Sequence, residues 1–195
     1  LAHMSFAIKS GEILGVAGVE GNGQQELVRC ITGLEETSYT GDINICGTRV
    51  NDLKIKGRRE IGMAYIPEDR MGDGIAGALP ISDNLISTYY DREDLNGKVF
   101  MNSKAIKETS ENLVETFAVK TKSIDASVNS LSGGNIQKVV VAREYNTNSK
   151  FMIAEQPTHG IDIGSEEFVH HKLIEMRNAG AGILLVSANL NEVMA

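Results

Sequence analysis

Apolar residues in the first third of the chain fall in short runs, separated by glycine, asparagine and serine, and this spacing predicts β-strands. Strands are expected over residues 5–8, 13–16 and 61–66, with residues 1–8 reading as a strand already in progress. Between them, residues 41–46 form a further short β-like run and residues 47–50 read as the return strand of a hairpin. A helix is expected from Gln24 or Gln25 to about Ile31. The β-like texture stops at Pro67, and residues 71–129 change to helical spacing broken by glycine and serine. The clearest helix there is 103–117, which can place Ile106, Leu113, Val114 and Phe117 on one face. Buried-strand runs return at 151–154 and 183–186, flanking a helix over 165–177 with Phe168, Val169, Leu173 and Met176 as its apolar side. The pattern predicts an α/β core, a small antiparallel β part, and a helical subdomain inserted at about 72–129.

The run 13–16 enters a glycine-dense turn that opens into the first helix, which is the strand, loop, helix order of a phosphate-binding loop. Gly18 and Gly23 stand where the glycines of G-x-x-x-x-G-K-[ST] belong, and Gly21, Asn22, Gln24, Gln25 and Glu26 complete the candidate nucleotide-binding stretch. Gln24 and Gln25 occupy the positions of the lysine that meets the β- and γ-phosphates and of the hydroxyl that holds Mg²⁺. Replacing a charge-assisted contact of roughly 1.5–3 kcal/mol with neutral amides lowers affinity through this loop by about one to two orders of magnitude. A tight strand-to-helix connection accounts for the loop alone equally well. A dinucleotide fingerprint suits it less, because G-x-G-x-x-G read from Gly21 places Glu26 at its last glycine.

Composition narrows the partners. The chain has 195 residues, enough for one domain with a substantial core, and begins and ends abruptly, so it is expected to be part of a longer polypeptide. A net charge of -7 and a pI near 5.1 argue against a nucleic-acid surface, which needs dense Lys/Arg patches. The basic stretch 54–59 is read as a solvated turn or helix face, and Asp69, Arg70 and residues 91–94 as solvated charges. Cys30 and Cys46 form no C-x-x-C pair and are expected as free thiols in a reducing cytoplasm. No apolar run approaches membrane-span length, so no direct membrane insertion is expected.

Further along stands Leu131-Ser132-Gly133-Gly134-Asn135, a Ser-Gly-Gly turn before an apolar helix-like segment. Such a turn offers a hydroxyl and unobstructed N–H groups to an anion, although an N-cap serine followed by two glycines explains it as well. The strand at 151–154 then ends in Glu155-Gln156-Pro157-Thr158-His159-Gly160-Ile161-Asp162, and the one at 183–186 in Ser187-Ala188-Asn189.

Together and in this order, these stretches resemble the nucleotide-binding domain of ABC transporters over nearly the whole chain. The resemblance implies a P-loop NTPase core of ABC type spanning residues 1–195, with ATP and Mg²⁺ as cofactors. Leu131 to Asn135 is similar to the family's LSGGQ signature, and Pro157-Thr158 sets the register in which Glu155 and Gln156 stand for its Asp-Glu pair. Asp162 matches the D-loop, Glu68 stands at the Q-loop glutamine, and Ala188 replaces the switch histidine. YIPEDR, EQPTHGID and VSANL are similar to the second, degenerate domain of a tandem ATPase subunit from the nucleoside and simple-sugar importer branch. Implied partners are another nucleotide-binding domain, in the same polypeptide, and transmembrane permease subunits. The implied location is the cytoplasmic face of the membrane, as a peripheral protein.

The departures from the family pattern point one way. Gln24 removes the cation, Gln25 the Mg²⁺ hydroxyl, Gln156 the proton acceptor and Ala188 the side chain that reaches the γ-phosphate, while Glu155 could hold a metal only loosely. The full subunit is expected to hydrolyse ATP, and this domain's own site to be weak or inactive. His170 and His171 are adjacent and point to different faces, so surface positions are expected rather than a metal pair. His159 is read equally as a turn histidine or a partner contact. Two further readings stay open: a soluble ABC-type protein without a transporter, and a stand-alone nucleotide sensor.

Overall fold

The computed structural model describes residues 4–19, 21–34, 39–97 and 99–194. They form two compact units: residues 4–67, 148–157 and 173–194 make the first, and residues 68–147 and 158–172 the second.

The first unit is built on a four-stranded parallel sheet. Its strands are β1 (Ile13–Ala17), β4 (Met63–Ile66), β5 (Phe151–Glu155) and β6 (Gly182–Ser187), in the order β1-β6-β5-β4. β4 and β6 are buried along their whole length, which is why they read as unbroken apolar runs rather than alternating ones. Leu184 pairs with both Leu14 and Ile153, and Ile153 with Tyr65, so the register brings one row of side chains across the sheet. Ile153, Leu184, Val186, Met63 and Tyr65 pack with Val28 and Ile31 of helix α1 (Gln24–Thr32). Each such apolar side chain contributes about 1.5–3 kcal/mol by leaving water. The hairpin forms from β2 (Asn44–Ile45) and β3 (Thr48–Arg49), with Cys46 at φ 50 and Gly47 at φ 80, the two positive angles of a type I′ turn.

Two expectations fail in this unit. Residues 4–8 form no strand, and Met4 and Phe6 are exposed, because an alternating run without a hydrogen-bonding neighbour gains nothing from extension; residues 1–3 lie outside the described set. The basic stretch is not uniformly solvated either. Arg58, on helix α2 (Ile55–Glu60), is 3% exposed. Its Nη1 donates to the carbonyls of Cys30 and Ile31 at 2.6 and 2.8 Å, and its Nε to that of Leu53 at 2.8 Å. A cation thus meets the carbonyl end of α1, where the helix dipole is negative.

The second unit carries helices α3 (Ile81–Ile86), α4 (Ser103–Thr116) and α5 (Gly133–Tyr145). Helix α6 (Ile163–Asn178) starts in it, and α7 (Leu190–Met194) closes the described chain. Among the described residues between 71 and 129 there is no strand, only the bridges Pro80 to Ser127 and Asn96 to Met101. Asn102 caps α4 by accepting from Ala105 N at 3.2 Å, and Leu113 and the following Phe117 are buried as the periodicity requires. Phe117 meets Tyr145 and Phe168 edge to face at 5.3 and 5.9 Å.

Candidate functional site

The glycine loop, Glu155, Gln156 and Ala188 belong to the first unit; Glu68, Leu131 to Asn135 and Asp162 belong to the second. In the first unit β1 delivers the chain to a loop with Gly21 at φ 84 and Gly23 at φ 98, left-handed conformations that a side chain would strain. Gly23 is the N-cap of α1, and its carbonyl accepts from Leu27 N at 3.0 Å. Gly18 N donates to Ser187 O at 3.4 Å, which ties the loop to the end of β6. Asn22, Gln25 and Glu26 are exposed.

Gln24 turns back over this loop. Its Nε2 donates to Val19 O at 3.2 Å and lies so close to Gly18 that a methyl group there would collide with it. Its Oε1 is buried with no hydrogen-bond partner among the described residues, an arrangement that costs about 1–3 kcal/mol. In place of a cation the loop therefore holds an amide, and the first turn of α1 carries the Glu26 carboxylate, which opposes a bound anion.

The strand ends are also occupied. Glu155 is 5% exposed and accepts a 2.6 Å hydrogen bond from Tyr65 Oη. Gln156, at φ 45, accepts through Oε1 from Ala188 N at 3.1 Å. Ser187 Oγ lies 3.3 Å from the same oxygen but spends its single proton on Glu192 at 2.6 Å. The two replaced positions, Gln156 and Ala188, are thus bonded to each other. Mg²⁺ needs several oxygen ligands. Among the described residues no group of three or more His, Cys, Asp or Glu is placed to hold a metal, Glu155 is engaged by Tyr65, and Gln25 offers an amide where a hydroxyl would be needed. This donor set does not fit the ion.

In the second unit Ser132 is the N-cap of α5, with its hydroxyl accepting from Asn135 Nδ2 at 2.8 Å, and Asn135 Oδ1 accepting from Lys120 N at 2.8 Å. Asparagine in the fifth position thereby anchors the turn to the backbone at Lys120. Gly134 has a packing reason beside the anion-binding role that the resemblance implies. A side chain on Gly134 would collide with Ser165 Oγ and lie 2.7 Å from Asp162 Oδ2, and one on Gly133 would lie 3.6 Å from Gly160 O. Asp162 accepts from Ser165 Oγ at 2.8 Å and Ser165 N at 3.0 Å, and these bonds hold its carboxyl below the usual range. Glu68 Oε1 lies 4.0 Å from His159 Nδ1, an ion pair when the imidazole is protonated, with the His159 side chain 64% exposed. His170 is half-buried and His171 exposed.

Asp69 is exposed, as expected, and Arg70 half-buried, but both are also engaged by the backbone. Asp69 Oδ1 accepts from Met71 N at 3.1 Å and Gly72 N at 2.9 Å, and Arg70 donates from Nη1 to His159 O at 2.5 Å and from Nη2 to Gly160 O at 3.1 Å. An Asp two residues past a proline and three before a glycine carries the signal for Asp69. Nothing local to Arg70 or Arg58 does, since their carbonyl partners lie as many as 90 and 28 residues away.

A family model described as ABC transporter matches residues 1–159. The chain belongs to the ABC transporter family. It is 38% identical over 191 residues to the guanosine import ATP-binding protein NupO of Bacillus subtilis (strain 168), covering 98% of this chain and 37% of that protein. It is 35% identical over 191 residues to the nucleoside import ATP-binding protein NupA of Lactococcus lactis subsp. cremoris (strain MG1363), covering 98% of this chain and 38% of that protein. The chain thus spans less than two fifths of the length of these relatives. Its fold matches the dimeric post-hydrolysis structure of the ATP-binding cassette MJ0796 bound to ADP and Pi, with a TM-score of 0.77 and 21% identity over 96% of this chain and 79% of that one. The architecture is the ABC-type P-loop ATPase fold, a mixed α/β domain with a parallel sheet and a small antiparallel one.

Proposed function

We propose that this ABC domain is one half of a tandem import ATPase, and that its Ser132-Gly133-Gly134 turn completes the ATP site of a partner nucleotide-binding domain carrying an intact P-loop. Its own loop forms a weak second site. The observation that carries this reading is the contrast between the two units' motifs. Around the glycine loop, Gln24 covers Gly18 and Gln156 is bonded to Ala188, whereas the Ser132 turn keeps its hydroxyl, its two glycines and the N-terminus of a 13-residue helix in order. The first N–H groups of a helix lack intrahelical partners and attract an anion, so a γ-phosphate presented from a partner domain finds donors there.

The solute class is nucleoside, supported by the two relatives named for guanosine and nucleoside import; simple sugars are the second choice. Permease subunits, a peripheral place at the cytoplasmic face of the membrane, and the helical insertion at about 72–129 belong to the same proposal. Among the described residues no helix is long and apolar enough to cross a membrane, so contact with permease subunits is the proposed route to the bilayer.

The test compares Ser132→Arg with Gln24→Ala in the complete transporter. Arginine at the turn should lower ATP turnover about a hundredfold or more, the scale of losing donors aimed at transition-state charge, while Gln24→Ala leaves it near normal. The opposite pattern sinks the assignment of roles.

A further inference from the structure

We infer that Arg70 is a positioning residue for the trans-acting Ser132 turn: it locks the 158–165 loop, and through it the N-terminus of α5, into the geometry in which that turn meets a partner's nucleotide. This inference rests on the proposed role of Ser132.

The contacts close a ring within the second unit. The N-terminal glycines of α5 lie against the 158–165 loop so closely that a methyl group on Gly134 would collide with Ser165. The loop's backbone carbonyls at His159 and Gly160 are both taken by the Arg70 guanidinium. Arg70 opens a single helical turn, Arg70–Gly74, held from its start by Asp69, whose side chain accepts from Met71 N and Gly72 N and whose carbonyl accepts from Asp73 N at 2.8 Å. The far end of that turn returns to α5, because buried Arg143 donates to Gly74 O at 2.7 Å. Two arginines therefore brace the turn between the loop at one end of α5 and the body of the same helix.

A planar fork with fixed donors suits two successive carbonyls, which a lysine ammonium cannot span in the same way. His159 and Gly160 are exposed, so without Arg70 water satisfies their carbonyls and the loop loses the fork that holds two of its backbone groups, while the 4.0 Å Glu68–His159 pair, on a side chain 64% exposed, remains. Folding survives that loss, but the aim of the α5 N-terminus does not, and displacements of about 1 Å cost up to about a hundredfold in rate.

The experiment uses the complete transporter with Arg70→Ala and Arg70→Lys, and Ser132→Arg alongside. The expected result for both Arg70 variants is a kcat for ATP lowered about 10- to 100-fold with KM within about twofold, since the turn acts after nucleotide has bound the partner's loop. The melting temperature stays at the wild-type value. Millimolar guanidinium restores part of the turnover of Arg70→Ala and none of Ser132→Arg. If Arg70→Ala fails to fold, Arg70→Lys decides on the same kcat and KM readout. Wild-type turnover in a folded Arg70 variant overturns the inference, as does a loss that guanidinium does not relieve. When Ser132→Arg abolishes turnover and the Arg70 variants are normal, only the Arg70 role falls; when Ser132→Arg is itself normal, the reading of the turn falls and this inference with it.

Discussion

Arg58→Ala tests whether the helix that follows the glycine loop is closed by a buried cation. Arg58 is 3% exposed and donates to three carbonyls at 2.6 to 2.8 Å, two of them at the last turn of α1. Hydrogen bonds from a charged donor contribute about 1.5–3 kcal/mol each, but water entering the vacated space recovers much of this, leaving a net loss of about 3 kcal/mol. Gly33, the C-cap of α1 at φ 75, sits where an added methyl would lie 2.9 Å from Arg58 Nε, so the guanidinium and the helix end are packed together. Native-state hydrogen exchange read by mass spectrometry measures opening of α1 directly, without assuming that two units unfold as one. A loss of 3 kcal/mol lowers protection of the α1 amides by about two orders of magnitude. Arg58→Lys, which keeps the charge at the helix end and loses the fork, should show roughly half that free-energy change. Protection in Arg58→Ala within about threefold of wild type would mean that the guanidinium is a solvated charge after all.

Gln156→Glu should leave ATP turnover of this chain at background, because the new carboxylate can still accept from Ala188 N while Gln24 and Ala188 remain unchanged; turnover of about 1 s⁻¹ or faster refutes this. Asp162 should titrate below the ordinary value of about 3.9 by NMR, and Ser165→Ala, which removes the hydroxyl but keeps the backbone N–H, should move it part of the way back. Because that carboxyl is depressed in the folded chain, its stabilisation is present above the unfolded value and is lost as pH falls through the folded one; an acid-induced loosening of the α6 start that persists in Asp162→Asn contradicts the assignment.

Strands β4, β5 and β6 and helix α4 were legible because burial on both faces or on one helical stripe leaves a periodic trace in the sequence. The hairpin was legible as two short β-like runs, but its turn was not: Cys46 and Gly47 both read as strand residues, and a cysteine at positive φ leaves no local signal. Residues 4–8 misled because alternation describes a strand's faces but not whether a neighbour exists to bond it. Arg58 and Arg70 were misread for the opposite reason. A guanidinium seeking backbone carbonyls has no period and no motif, and its partners are defined only once distant segments have folded together. The same applies to Tyr65, whose bond to Glu155 joins adjacent strands separated by 90 residues of chain.

The substituted positions around the glycine loop differ from simple deletions. An amide that had merely lost a function would be left to solvent, yet Gln156 Oε1 holds the Ala188 amide, Tyr65 holds the Glu155 carboxylate, and Gln24 bonds Val19 O above Gly18. Each of these contacts stabilises the chain without ligand and has to be broken or rearranged before the group involved can face a phosphate or a metal, so under the proposed reading each should lower ligand affinity beyond the missing charge itself. Placing the family's residue at one of these positions should therefore recover only part of the affinity, since the remaining contacts still favour the arrangement without ligand. Gln24 Oε1, buried with no partner among the described residues, is the weakest of these links, and for that reason it is where a ligand would gain most by displacing the side chain. The Ser132 turn differs: its internal contacts, through Asn135 to Lys120 N and through Gly134 against Asp162 and Ser165, hold it in place while Ser132 itself stays exposed. A glycine loop engaged by its own side chains, carried on the same chain as a Ser132 turn braced by its neighbours, is the arrangement that the proposed reading, a domain serving a neighbour's ATP more than its own, requires.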